Sequence, residues 1–174
     1  QPRGSLSRFG KVNIKKIYDE TLGLKAIMRS SAVIASSKKD LDQMYKVYPG
    51  LRNERIYTIP NPVDISLSNI EVPKGSFRRS LSIGDNEKII LYVGRLNKIK
   101  GVDLLLKSFV KVKARIHDVR LVIAGPDEGF LKELLSLSIQ LGLQSSVIFI
   151  NGLFGLEKQN AFVDADVFVL TSEF

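Results

Sequence analysis

Apolar and polar positions fall into blocks along the chain, and the period changes from block to block. Residues 11–30 carry Ile14, Ile17, Tyr18, Leu22, Leu24 and Ile27 at mostly helical spacing, which predicts an amphipathic helix. Ala32-Val33-Ile34-Ala35 is a short unbroken apolar run between two serine pairs. Such a run predicts a strand buried on both faces. Ser37 then stands where it can cap a helix over 38–48, and Pro49-Gly50 closes it. Ile56-Tyr57-Thr58-Ile59 predicts a second strand, running into Pro60-Asn61-Pro62. Two prolines impose an extended connection that cannot join a ladder. From Val63 to about Gly75 the periodicity lapses and polar content rises. This marks a domain boundary, with residues 1–62 before it, a linker over 63–75, and residues 76–174 beyond.

The second half repeats strand, turn and helix with more regularity. Ile89–Val93 predicts a strand ending at Gly94, and a helix over 102–116 carries Leu105, Phe109, Val112 and Ile116 on one face. Arg120–Ala124 predicts a strand ending at Gly125. The next helix, from about Phe130, offers Leu131, Leu134, Leu135 and Leu141 for burial, with Gly142 suited to its C-terminal cap. Strands over 147–150 and 167–170 flank a helix over roughly 156–164. Apolar strands separated by helices of 10–15 residues imply right-handed crossovers and a doubly wound parallel sheet.

Charge changes this picture by its location. The chain of 174 residues has a formal net charge of +8. Residues 1–79 hold 15 Lys/Arg against 7 Asp/Glu, and residues 80–174 hold 11 against 11. The excess, which includes Arg3, Arg8, Lys11, Lys15, Lys16, Lys25 and Arg29, is either a field for an anionic partner or a set of solvated helix faces. No aromatic interleaving accompanies it, so no nucleic-acid partner is expected. Cysteine is absent and His117 is the single histidine. That excludes disulfides, thiolate metal sites and a cysteine nucleophile, argues against histidine-based metal sites and triads, and fits a reducing, cytoplasmic setting. His117 reads most simply as a partner of a helix C-terminal dipole. No apolar run reaches the ~18 residues of a membrane helix.

In an open parallel sheet, ligands gather beyond the carboxyl ends of the strands. The loop Gly94-Arg95-Leu96-Asn97-Lys98-Ile99-Lys100-Gly101 places Arg95 and Lys100 beside a helix N-terminus, whose amides favour an anion. A diphosphate suits a planar guanidinium and a mobile ammonium, and the alternative is a solvated basic loop. In Gly125-Pro126-Asp127-Glu128-Gly129 the two carboxylates read as first-turn partners of the following helix, with a ligand role as the alternative. Asn151-Gly152-Leu153-Phe154-Gly155 either admits a planar ring or only turns the chain. Asp164 and Asp166 read as turn-setting residues. The sequence has no Walker-type loop and no G-x-G-x-x-G, which disfavours a P-loop NTPase and the usual dinucleotide site.

Tyr92-Val93-Gly94-Arg95-Leu96 with Lys100-Gly101-Val102-Asp103-Leu104-Leu105 resembles the phosphate loop of family 4 retaining glycosyltransferases, group 1, of GT-B fold. The similarity continues in Leu121–Asp127 and Ala165–Ser172, and upstream in Ala32–Ser37 and Ile59–Asp64. The family's crossing has Gly where this chain has Pro62. The resemblance implies a fragment: the tail of the acceptor-side lobe followed by an incomplete Rossmann-like nucleotide-sugar lobe. It implies donor-diphosphate contacts from Arg95, Lys100 and Gly94, and a nucleotide-base region at Ile150 and Leu153. The family's glutamate pair is expected to begin after Phe174, so no catalytic residue is assigned. The implied donor is a UDP- or GDP-linked sugar, with no metal and no other cofactor. The implied acceptor is a glycan or a lipid-linked molecule. The basic excess in residues 1–79 suggests peripheral contact with the anionic inner face of a membrane. Strands 32–35 and 56–59 lack companions, so exposed apolar faces and self-association, or mobility over 1–58, are expected. The reading from a different class is a non-catalytic nucleotide- or phosphate-binding module.

Overall fold

The computed structural model describes residues 22–48, 50, 55–62 and 72–172. The chain divides into two compact units, residues 1–69 and 70–174. In the first, helix α1 (Leu24–Arg29), strand β1 (Val33–Ala35), helix α2 (Lys38–Val47) and strand β2 (Ile56–Thr58) follow in order. Residues 11–21 of the helix expected over 11–30 lie outside the described residues. Ser37 caps α2 as expected, its hydroxyl accepting from the Asp40 amide at 3.2 Å. Strands β1 and β2 pair in parallel, Val33 with Ile56 through Ala35 with Thr58. Ala35 and Met44 are buried, whereas Ile34 is 39% and Tyr57 54% exposed. For β1 the expectation of burial on both faces therefore fails, while the exposed apolar positions expected of strands 32–35 and 56–59 are present. An apolar run of this kind is buried on both faces only where helices cover each side of its sheet.

The second unit contains α3 (Ser76–Ser80), β3 (Lys88–Val93), α4 (Val102–Lys113), β4 (Val119–Ala124), α5 (Leu131–Gln140), β5 (Val147–Ile150), α6 (Gly155–Asp164) and β6 (Val167–Phe168). Its strands form one parallel sheet in the order β5-β4-β3-β6. The period of two sends alternate residues to opposite faces. Tyr92, Leu121 and Ile123 join Leu105, Leu106, Phe109 and Leu134 on the α4 and α5 side. Ile89, Leu91 and Val122 join Phe77 and Ala161 on the α3 and α6 side. This is the doubly wound α/β lobe that the pattern predicts.

Four details depart from the pattern. Helix α4 ends at Lys113, so Ile116 has left the apolar face and is 46% exposed. His117 lies four residues past the helix end, and its carbonyl accepts from the Lys113 ammonium. Leu135 is exposed although Leu134 is fully buried, because the two neighbours point about 100° apart on the helix. The last strand pairs only through Val167 and Phe168, and both are exposed at the edge of the sheet. Gly142 does terminate α5 in the left-handed region, with φ +67°.

At the amino ends of the strands, side chains bind remote parts of the chain together. The Asp164 carboxylate, almost fully buried, accepts from the backbone amides of Gly75 and Arg78, the second at 3.0 Å. Asp166 accepts from the Ile89 amide at 2.8 Å and pairs with Lys88 at 2.9 Å. Neither residue sets a local turn as expected. They tie α6 and β6 to α3 and β3, across 77 to 89 residues of chain. Arg78 is buried and donates to the Gly84 and Glu87 carbonyls, and Arg120 pairs with Glu87.

Candidate functional site

The opposite, carboxyl end of the sheet is a set of three loops sewn together by main-chain hydrogen bonds. After β3, the Gly94 amide donates to Ala124 and the Leu96 amide to Pro126, each at 2.9 Å. The Glu128 amide returns to Leu96 at 3.1 Å, and the Gly125 amide donates to Ile150 at 3.1 Å. The loops after β3, β4 and β5 thus form one platform. Gly125 makes it feasible, because a Cβ there would stand 1.7 Å from the Gly94 carbonyl oxygen. Beneath the first loop, Tyr92 is fully buried and its hydroxyl donates to the Arg95 carbonyl at 3.2 Å. Burial pushes that hydroxyl up to about 12, against a smaller opposite pull from the Arg95 charge.

The basic loop runs from Gly94 through a 3₁₀ turn at Lys98–Lys100 into α4 at Val102. Gly101 takes φ +61° at the junction, and a Cβ there would meet the Thr171 carbonyl oxygen at 2.4 Å. Thr171 also donates its hydroxyl to the Lys100 carbonyl at 3.0 Å. The stretch just after β6 is therefore in contact with the basic loop, an adjacency between residues 71 apart that local pattern does not reveal.

Arg95 is exposed and Lys100 half-buried. The Arg95 guanidinium donates to Glu128 Oε1 at 2.8 Å, and Asn97 Nδ2 donates to Glu128 Oε2 at 2.6 Å. The Asn97 hydrogen bond, then the Arg95 one, holds the Glu128 carboxyl below the usual carboxylate range, with the Lys100 charge adding to it. Glu128 is thus not the helix-dipole partner expected of it. Its neighbour Asp127 is: one carboxylate oxygen accepts from the Gly129, Phe130 and Leu131 amides at 2.8, 2.9 and 3.0 Å. Those amides, Leu131 first, lower the Asp127 carboxyl too. Lys98 turns elsewhere, to Glu133 at 3.6 Å and over the Phe130 ring at 5.7 Å. The sequence singles out neither Asn97 nor Thr171 as a site residue, and it offers Glu128 only as the alternative to helix capping. Gly94, Arg95, Lys100 and Gly101 ahead of a helix are the signal in the sequence that points to this loop.

Ile150 joins this platform by its carbonyl, and the side chains of Ile150 and Leu153 lie beside α3 and α6. They line a cavity of about 240 Å³ with Ser76, Phe77, Ser80, Leu81, Glu157 and Asn160, and neither Arg95 nor Lys100 borders it. Among the described residues no group of three His, Asp or Glu side chains could hold a metal ion. No helix among them is long and apolar enough to cross a membrane.

A parallel doubly wound sheet with helices on both faces defines a Rossmann-like lobe, and its structural neighbours are GT-B glycosyltransferases. The chain belongs to the glycosyl transferases group 1 family, whose model matches residues 73–174. It is 34% identical over 146 residues to an uncharacterized glycosyltransferase of Methanocaldococcus jannaschii, covering 82% of this chain and 37% of that protein. It is 26% identical over 132 residues to the D-inositol 3-phosphate glycosyltransferase of Xylanimonas cellulosilytica, covering 71% of this chain and 31% of the relative. Its fold matches that of HepE from Anabaena, solved in complex with UDP-glucose, with a TM-score of 0.76 and 24% identity over 96% of this chain and 44% of that one. The chain spans about a third of the length of these curated relatives.

Proposed function

We propose that this chain carries the donor-binding part of a retaining glycosyltransferase that moves a sugar from a nucleotide-diphosphate donor to a glycan or lipid-linked acceptor. The observation that carries the reading is the loop at Gly94–Gly101, which sets Arg95 and Lys100 at the carboxyl end of β3 in a lobe of this family. HepE's complex with UDP-glucose supports a UDP-type donor. Cleaving a glycosyl phosphate bond leaves charge on the diphosphate. Arg95 and Lys100 would stabilise that charge as it develops, a role that requires no proton transfer and no metal. Gly94, turning the chain at the strand end, sets the start of this loop. Ile150 and Leu153 supply an apolar wall suited to a nucleobase, on a cavity of their own beside α3 and α6.

The chain alone is expected to bind the nucleoside diphosphate weakly and to transfer no sugar, since it corresponds to about a third of its relatives. Calorimetric titration with UDP and GDP is the test. Arg95→Ala and Lys100→Ala should each weaken binding roughly ten- to a hundredfold, because a charge-assisted hydrogen bond contributes about 1.5–3 kcal/mol. Equal losses in Arg95→Ala, Lys100→Ala and Lys98→Ala would reduce the effect to general electrostatics and remove the site.

We further infer that the basic excess in residues 1–79 draws the protein to an anionic membrane surface, where lipid-linked acceptors reside. Each basic residue that reaches such a surface contributes about 1 kcal/mol. Sedimentation with anionic vesicles should be salt-sensitive, and equal partitioning onto neutral vesicles would overturn the idea.

A further inference from the structure

The basic loop already holds an anion, and that anion belongs to the chain. Glu128 presents one oxygen to Arg95 and the other to Asn97, two donors drawn from the same loop. Its main chain is fixed at the same place, because the Glu128 amide donates to Leu96 and residues 96 and 127 form a parallel bridge. Asp127 cannot take over the position, since its carboxylate is committed to three amides of the following turn. The Arg95–Glu128 pair is open to water, with side-chain exposures of 61% and 37%. Exposed ion pairs are weak, because solvent screens them and ordering two long side chains opposes them. A carboxylate so placed is easily exchanged for an anion of higher charge.

We propose that Glu128 is a resident anion, occupying the Arg95 guanidinium until a diphosphate oxygen displaces it, so that donor affinity is set by an ion-pair exchange. The proposal rests on the reading of Arg95 as a diphosphate ligand. Its consequence is a sign opposite to that of an ordinary supporting residue. A carboxylate that merely oriented Arg95 would strengthen donor binding, and its loss would weaken it. A resident competitor weakens donor binding twice, by holding the guanidinium and by leaving a negative charge beside the incoming phosphates. Asn97 then retains the displaced carboxylate close to the site, ready to return when the nucleotide leaves.

The test is calorimetric titration of UDP, and in parallel inorganic pyrophosphate, into the chain and its Glu128→Gln, Arg95→Ala and doubly substituted forms. Glu128→Gln keeps the shape and a hydrogen-bond acceptor for Asn97 while removing the charge. It is expected to tighten both ligands about three- to tenfold at low salt, a gain that shrinks as salt screens it. In the Arg95→Ala background the same change should yield less than about a twofold gain, since there is no guanidinium left to release. Unchanged or weaker binding in Glu128→Gln overturns the proposal, as does an equal gain in both backgrounds. Arg95→Ala binding UDP as well as the unsubstituted chain would instead sink the diphosphate reading itself. Glu128 is exposed on a turn, and circular dichroism of each variant establishes that the fold is intact.

Discussion

The two ends of the four-stranded sheet use charge in opposite ways. At the amino ends, Asp164 is buried against two backbone amides, Arg78 is buried against two carbonyls, and Arg120 closes on Glu87. Nearly every group there has a partner that cannot leave, because the partner is main chain or is itself enclosed. At the carboxyl ends, Arg95 and Glu128 meet in water, and Lys100 makes no ion pair among the described residues. The first arrangement contributes stability, since a buried polar group without its partner is costly. The second contributes little stability and remains exchangeable. One sheet therefore keeps its fastening at one end and its exchangeable charge at the other.

The largest effect should come from breaking the fastened end. Asp164→Ala removes the acceptor of two amides in a buried place, and a loss of about 3 kcal/mol is expected from two unsatisfied donors. Urea unfolding measures it. UDP affinity of the protein that remains folded should be unchanged, and a parallel loss of affinity would erase the distinction between the ends.

Arg95→Ala should do the reverse. Its ten- to hundredfold loss of UDP affinity should come with a stability change within about 0.5 kcal/mol, the usual range for exposed substitutions. A urea midpoint that falls as far as that of Asp164→Ala would show the loop to be structural.

Acid sharpens the comparison further. Glu87 is held below its usual 4.5, first by the Arg120 hydrogen bond and then by the Gly84 amide. Burial would raise Asp166, but the Ile89 amide and the Lys88 ammonium outweigh it and leave the group below its usual 3.8. Carboxylates lowered in the folded state contribute stability that is fully present above their unfolded values. That contribution is lost as the pH falls through the acid range below about 4. Urea midpoints between pH 7 and pH 3 should therefore decline in acid, and Glu87→Gln should flatten the decline. An unaltered acid slope in that variant would remove Glu87 from the explanation.

The smallest effect is expected for Lys98→Ala. Lys98 has the same charge as Lys100 in the same loop, yet it is engaged with Glu133 and the Phe130 ring. UDP affinity should change less than about twofold, and a larger loss would mean that the loop acts as a diffuse cationic surface.

The sequence alone determined the doubly wound lobe, because burial on both faces demands unbroken apolar runs and the intervening helices demand a period of 3.6. Ser37 and Gly142 were legible as caps for the same local reason, since a hydroxyl three residues before an amide and a glycine free of Cβ act within one turn. The basic loop was legible as a loop. Its inner wiring was not. That Glu128 faces Arg95, that Thr171 abuts Gly101, and that Asp164 and Asp166 reach back to Gly75, Arg78 and Ile89 depend on contacts between residues 33 to 89 apart. Periodicity reports which face of an element is apolar. Only the packed sheet decides which loops meet at its end, because the order β5-β4-β3-β6 sets the neighbours of each strand and no local propensity encodes that order.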